Sequence, residues 1–183
     1  RALVNYLPLA TKTTYESLGG DETLDWAKEQ VAVIGTEDYA EAAGPNEIIV
    51  LALPYGGPNG GKDNEGQIFS PMTDFMDGLI PNPPVGYIHG AVNGFETEPL
   101  GTVSQRWYDR RGGWMKVTLD PQSSRYSQMI DAHETGNLFA STGAVPAYSD
   151  ADENGDIDTW LVGELSLVDL RDGYRPVNMY AIT

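Results

Sequence analysis

The chain has 183 residues, 27 acidic against 11 basic, with a formal charge of −16 and no cysteine. Disulfides, thiolate metal sites and a cysteine nucleophile are therefore excluded, and nucleic acid or an anionic membrane surface is a poor partner, because phosphate binding needs a basic face. Glycine (21) and proline (12) are abundant and no apolar run is long enough for a bilayer span, so a turn-rich, mainly β domain is expected.

The length predicts one domain with its own core. The opening residues, Arg1 to Tyr6, lack the pattern of a signal peptide. Residues 1–47 are acidic and mixed, with one short helix expected from Asp21 to Gln30, capped by Asp21. Glu47 to Leu53 is a continuous apolar, β-branched run and predicts a buried strand. Pro54 to Gly66 is a glycine-rich loop. Thr73 to Leu79 is at most a short helix, and Val85 to His89 is a short strand after a proline-rich turn. Val103 to Tyr108 and Trp114 to Leu119 predict two strands of a hairpin joined by Asp109 to Gly113.

Asp120 to Gly136 is the strongest helix pattern. Asp120 stands as cap, Pro121 suits the first turn, and Tyr126, Met129, Ile130 and His133 recur at helical spacing before Gly136. Leu138 to Thr142 then predicts a strand, Asp150 to Asp158 a polar turn, and Trp160 to Val168 a last strong strand. The expected fold class is α+β, mainly β, and barrel-like.

Two motifs look functional and are set aside. Gly56 with Gly61-Lys62 fits the phosphate-cradling G-x-x-x-x-G-K spacing. However, Asp63 stands where a magnesium-binding hydroxyl belongs, and no helix follows. Asp150, Asp152, Asn154, Gly155, Asp156 and Asp158 copy the front of a calcium loop, but Leu161 replaces its last, bidentate glutamate. A hairpin turn with Asn154-Gly155 at its tip explains these residues without metal. No cofactor or metal is called for, and a calcium-stabilised secreted β-domain is the reading this loop leaves open.

Two histidines are the natural bases. His133 falls on the helix stripe, where packing explains it. His89 ends a strand beside Gly90, where a base can face a cleft. Ser141 shares a strand face with Phe139 and Gly143. Gly143 permits close approach of another chain, and backbone N–H groups near it could serve an oxyanion; a serine satisfied by backbone is the plainer alternative. Strand parity puts Glu164 on one face with Trp160, Val162, Ser166 and Val168, in a strand apolar on both sides. A carboxylate buried there needs a partner, and a histidine N–H suits it. An exposed edge position, or an ion pair with arginine, remains the alternative. The parts of a Ser–His–Glu triad are thus present in the order His89, Ser141, Glu164.

Several stretches, in this order, resemble the tailed-bacteriophage prohead (capsid maturation) serine proteases. They are Tyr87-Ile88-His89-Gly90, Pro99-Leu100-Gly101-Thr102-Val103, Gly113-Trp114-Met115-Lys116-Val117, Leu138-Phe139-Ala140-Ser141-Thr142-Gly143 and Gly163-Glu164-Leu165-Ser166-Leu167-Val168-Asp169. Gln67 to Asp74 also resembles some members. The resemblance implies an assemblin-like β-barrel with peripheral helices over 48–183, preceded by an extension, 1–47, of unassigned role. It implies a serine endopeptidase with Ser141 as nucleophile, His89 as base and Glu164 as orienting acid; the oxyanion site expected near Gly143 comes from the residues and not from the resemblance. Its substrates would be scaffold and capsid proteins inside the immature capsid in the host cytoplasm, and the enzyme a homodimer, with no nucleic acid or membrane partner. The alternative is a catalytically inactive scaffold or capsid-associated protein of the same fold.

Overall fold

The computed structural model describes residues 44–57, 59–90 and 99–174. The helix expected at Asp21 to Gln30 lies outside them. Six strands make one sheet: β1 (Glu47–Pro54), β2 (Pro84–Tyr87), β3 (Gly101–Asp109), β4 (Gly112–Leu119), β5 (Leu138–Ala151) and β6 (Ile157–Asp169). Their order across the sheet is β1-β4-β3-β2-β6-β5. All neighbours are antiparallel except β2 and β6, which run parallel. The sheet curls into a half-barrel, and its edge strands β1 and β5 approach each other. The fold is α+β and mainly β.

The β1 run becomes a strand because branched side chains fit a pleated, buried surface. Val50, Leu51, Ala52 and Leu53 are all buried. Antiparallel pairing with β4 sets Ile48 against Val117 and Val50 against Met115. β3 and β4 form the expected hairpin, closed by Arg110 and Arg111. Asp109 braces the turn by accepting from the Arg111 backbone N–H at 2.7 Å.

The one α-helix among the described residues, α1 (Tyr126–Glu134), begins later than the sequence pattern suggests. Asp120 caps a turn and not the helix: its carboxylate accepts from Gln122 N at 2.9 Å and its carbonyl from Ser123 N at 3.0 Å. Tyr126 N bonds Ser123 O in a second turn. Local side-chain bonds from Asp and Ser compete with helix here, and the competition ends only at Tyr126. Met129 and Ala132 bury into the core, with Tyr126 and Ile130 packed beside them. Residues 73–79 form turns and no helix.

The two motifs set aside pack against each other. Lys62 Nζ donates to the Asn154 carbonyl at 2.6 Å, and Ile68 N donates to Gly155 O at 2.9 Å. Asp152 Oδ1 accepts from Asn154 N and Asp156 N at 2.8 and 2.9 Å, which makes the tip of the β5–β6 hairpin. Gly155 takes a φ of 89° there, which a glycine adopts without strain. Among the described residues no group of three or more His, Asp or Glu is placed to hold a metal ion, and no helix is long and apolar enough to cross a membrane.

Candidate active site

β5 and β6 expose different chemistry on their two faces. Ala140 pairs with Leu167, and Leu138, Ala140, Leu165 and Leu167 all belong to the main core. The alternate residues face the other way. On that face Ser141 stands opposite Ser166, Gly143 opposite Glu164, and Gly86 of β2 opposite Ser166 from the far side.

Glu164 does not share its face with Trp160 and Val162, as plain parity predicts. The register slips between Gly143 and Ala144, so that Glu164 pairs with Gly143 but Val162 with Ala144. This bulge at Gly163 sends Trp160 and Val162 into the core and leaves Glu164 on the site face. Bulges re-aim side chains in this way, and a glycine inside a strand pattern is their usual mark.

The space for the Glu164 carboxylate comes from Gly143. A Cβ there would lie 2.5 Å from Glu164 Oε1, whereas one on Gly86 would meet Oε2 at an ordinary contact distance of 3.6 Å. Glu164 is mostly buried, with 14% of its side chain exposed. One oxygen meets His89 Nδ1 in a short hydrogen bond. The other accepts from Ser166 Oγ at 2.9 Å. Ser166 Oγ in turn accepts the backbone N–H of His89 at 2.8 Å. Side chain and main chain of His89 are thus both held from β6.

His89 reaches Glu164 because β2 ends abruptly. Ile88 and His89 have φ values of 49° and 50°. Left-handed backbone costs an L-residue about 1–2 kcal/mol, and a branched residue such as Ile88 is the rarer case. Such strain persists only where the surroundings over-determine it. Here Ile88 and His89 are buried. Tyr87, just before them, donates its hydroxyl to Asp172, and Gln128 Nε2 of α1 donates to Asp172 and Asp169 at 3.0 and 3.2 Å. The Arg125 guanidinium lies 4.1 Å over the Tyr87 ring. The end of β2 is therefore pinned to α1 and to the turn after β6.

Asp169, at the end of β6, is buried. Burial alone would raise its pKa, but hydrogen bonds from Arg171 outweigh that and hold the carboxyl below its ordinary value. Arg171 also binds Asp131 at 2.6 Å, so this arginine is engaged in tying α1 to the sheet.

The structure brings His89 and Glu164 together and sets Ser141 on the adjacent strand, on the same face. Ser141 is buried, with 3% exposure. Gly143 has a steric reason for being glycine, the room it leaves for Glu164. His133 is in the last turn of α1, whose Met129 and Ala132 pack into the core, and burial pushes its imidazole below the ordinary value. Ser166 and Gly86 are missed by sequence reasoning. Ser166 lies two residues from Glu164, a spacing that puts both on one strand face, and that spacing is the available signal.

No family model, curated protein or solved structure matches this chain.

Proposed function

We propose that the chain is a serine endopeptidase with Ser141 as nucleophile, His89 as base and Glu164 as the acid that orients the base. The observation that carries this reading is the clasp on His89. A buried imidazole sits at a strained left-handed turn, with Nδ1 against a carboxylate and a serine on the neighbouring strand of the same face. Strain and buried polar partners are concentrated where function requires them.

In this mechanism His89 Nδ1 donates to Glu164, which sets the tautomer and leaves Nε2 as acceptor. Nε2 takes the Ser141 hydroxyl proton as Oγ attacks the scissile carbonyl. The proton passes to the leaving amine, and water then hydrolyses the acyl-enzyme by the same route. In the proposed mechanism Oγ and Nε2 come into hydrogen-bond contact as substrate binds, since catalytic hydrogen bonds commonly align only in the substrate complex. Backbone N–H groups near Gly143 contribute to the oxyanion site.

The ordered motif set supports the finer part of the proposal: an assemblin-like enzyme of the prohead-protease type, homodimeric, cleaving scaffold and capsid proteins within the immature capsid. The deep burial of Ser141 favours a second reading, a catalytically inactive capsid-associated protein of the same fold, because a nucleophile must be reached by its substrate. A fluorophosphonate probe separates the two. The enzyme is expected to label stoichiometrically at Ser141, with labelling lost in Ser141→Ala and strongly slowed in His89→Ala. Absence of labelling in the folded wild-type chain selects the inactive protein.

A further inference from the structure

Away from the His89 face, where β1 and β3 end, lies an open groove of about 640 Å³. Three stacked rings wall it. Phe75 lies between Tyr55 and Tyr108, at centroid distances of 6.4 and 5.2 Å and interplanar angles of 16° and 14°. Leu79 and Met76 add apolar surface, and the charged residues that line the groove are Asp74, Asp77 and Asp109, with no lysine or arginine.

Three further features mark this groove as an interaction surface. First, the large exposed hydrophobics among the described residues are Met72, Leu79, Tyr108 and Tyr148. Leu79 and Tyr108 line the groove, and Met72 follows Pro71, which lines it too. Met72 is 88% and Leu79 61% exposed. Clustered exposed apolar side chains with a polar rim are typical of contact sites. Second, Met76 holds a φ of 48°, fixed by its N–H on Asp74 Oδ1 at 2.9 Å and by its carbonyl, which accepts from Leu79 N at 2.9 Å. The strained turn holds Leu79 in place at the rim. Third, Asp77 binds Arg106 and Tyr108, and Asp109 binds Arg111, but exposed Asp74 forms no ion pair among the described residues.

We propose that this groove docks a segment of a partner protein in which arginine or lysine alternates with large apolar side chains. Apolar residues fill the floor between Leu79 and the rings, and cations meet Asp74 and the aromatic faces. The net charge of −16 steers such a segment toward the surface and repels an acidic one. The docking needs no participation of Ser141 and holds for an active or an inactive chain.

The test is fluorescence anisotropy with a fluorescein-labelled peptide of alternating arginine and leucine, titrated with the full chain. Saturable binding is expected, equal in wild type and Ser141→Ala. Leu79→Ser should weaken it about tenfold, from the apolar area lost. Asp74→Asn should weaken it about threefold, with a smaller salt dependence. Both side chains are exposed, and an unchanged melting curve checks the fold; Met72→Ser provides a further surface variant expected to weaken binding. Equal binding of a glutamate–leucine peptide would overturn the proposal, as would unchanged affinity in all three variants. So would a self-association abolished by Leu79→Ser in a chain that does not bind the arginine peptide, because the groove would then belong to a second copy.

Discussion

The two halves of the sheet use the same ladder for opposite ends. In the β1–β4–β3 half, facing pairs are large and apolar: Ile48 with Val117, Val50 with Met115, Leu51 with Trp114. Even the second face is filled, with Trp107 stacked on Trp114 at 6.3 Å and the Arg111 guanidinium 5.0 Å over Trp114. In the β2–β6–β5 half, one face stays apolar and the other pairs serine with serine and glycine with glutamate. Apolar packing dominates the first half, with ion pairs such as Lys116–Glu47 at 3.1 Å beside it. The second gives up apolar contacts on one face, adds a strained turn, and gains a buried polar clasp. Fixed polar geometry is what chemistry needs, and a rigid apolar ladder beside it holds the strain in place.

Several substitutions would break or sharpen this contrast. The largest effect expected is on reactivity, in the polar half: Ser141→Ala abolishes fluorophosphonate labelling, and His89→Ala slows it by about 10²–10⁴, with melting curves showing both folded. In the apolar half the largest effect falls on stability. Leu53→Ala, at a fully buried site, is expected to cost about 2–5 kcal/mol in urea unfolding and to leave the labelling rate of the folded protein unchanged.

Paired glycines test the contrast directly. A Cβ on Gly101 would collide with the Thr118 carbonyl oxygen of the backbone, whereas one on Gly143 meets the movable end of Glu164. Gly101→Ala should therefore destabilise the protein severely. Gly143→Ala should lower the labelling rate about tenfold or more through a displaced carboxylate, with a modest loss of stability. A Gly143→Ala protein that labels at wild-type rate would remove the steric role assigned to that glycine.

The smallest expected effect is electrostatic. Burial raises Asp63 from its ordinary value to about 6, although Oδ1 accepts from Glu65 N and Gln67 N at 2.8 and 2.9 Å. The folded chain thus holds this proton more tightly than the unfolded one. Stability should fall as pH rises from about 4 to about 6, and the penalty is fully present above that window. An asparagine side chain keeps the acceptor oxygen without the charge, so Asp63→Asn should raise stability at pH 7 by on the order of 2 kcal/mol and change nothing at pH 3. Equal effects at both pH values would show that the turn, and not the charge, sets the difference.

Much of the strand content is legible in the residues. Continuous branched runs mark β1 and β6, alternation with a short turn marks the β3–β4 hairpin, and Asn154-Gly155 marks the β5–β6 tip. The helix pattern holds from Tyr126 onward and fails before it, where Asp120 and Ser123 bond their own backbone neighbours. His89, Ser141 and Glu164 can be chosen as candidates from residue type and strand position. The face of Glu164 cannot be read from the residues before it, because the bulge at Gly163 reverses parity between Glu164 and Val162, and the ladder shifts register again nearer the hairpin tip.

Composition and local pattern alone determined that this is an acidic, cysteine-free, mainly β chain, because side-chain chemistry and strand period act over a few residues. Only the tertiary structure decided that Glu164 meets His89, that Ser166 ties the two together, and that Gly143 leaves the space for the carboxylate. Those contacts join β2, β5 and β6 across long stretches of chain, 75 positions between His89 and Glu164, and closing such a loop is a property of the whole fold. Long-range closure, the slip at Gly163 and the left-handed turn at Ile88 are set by packing of the whole sheet, which no short window of sequence contains.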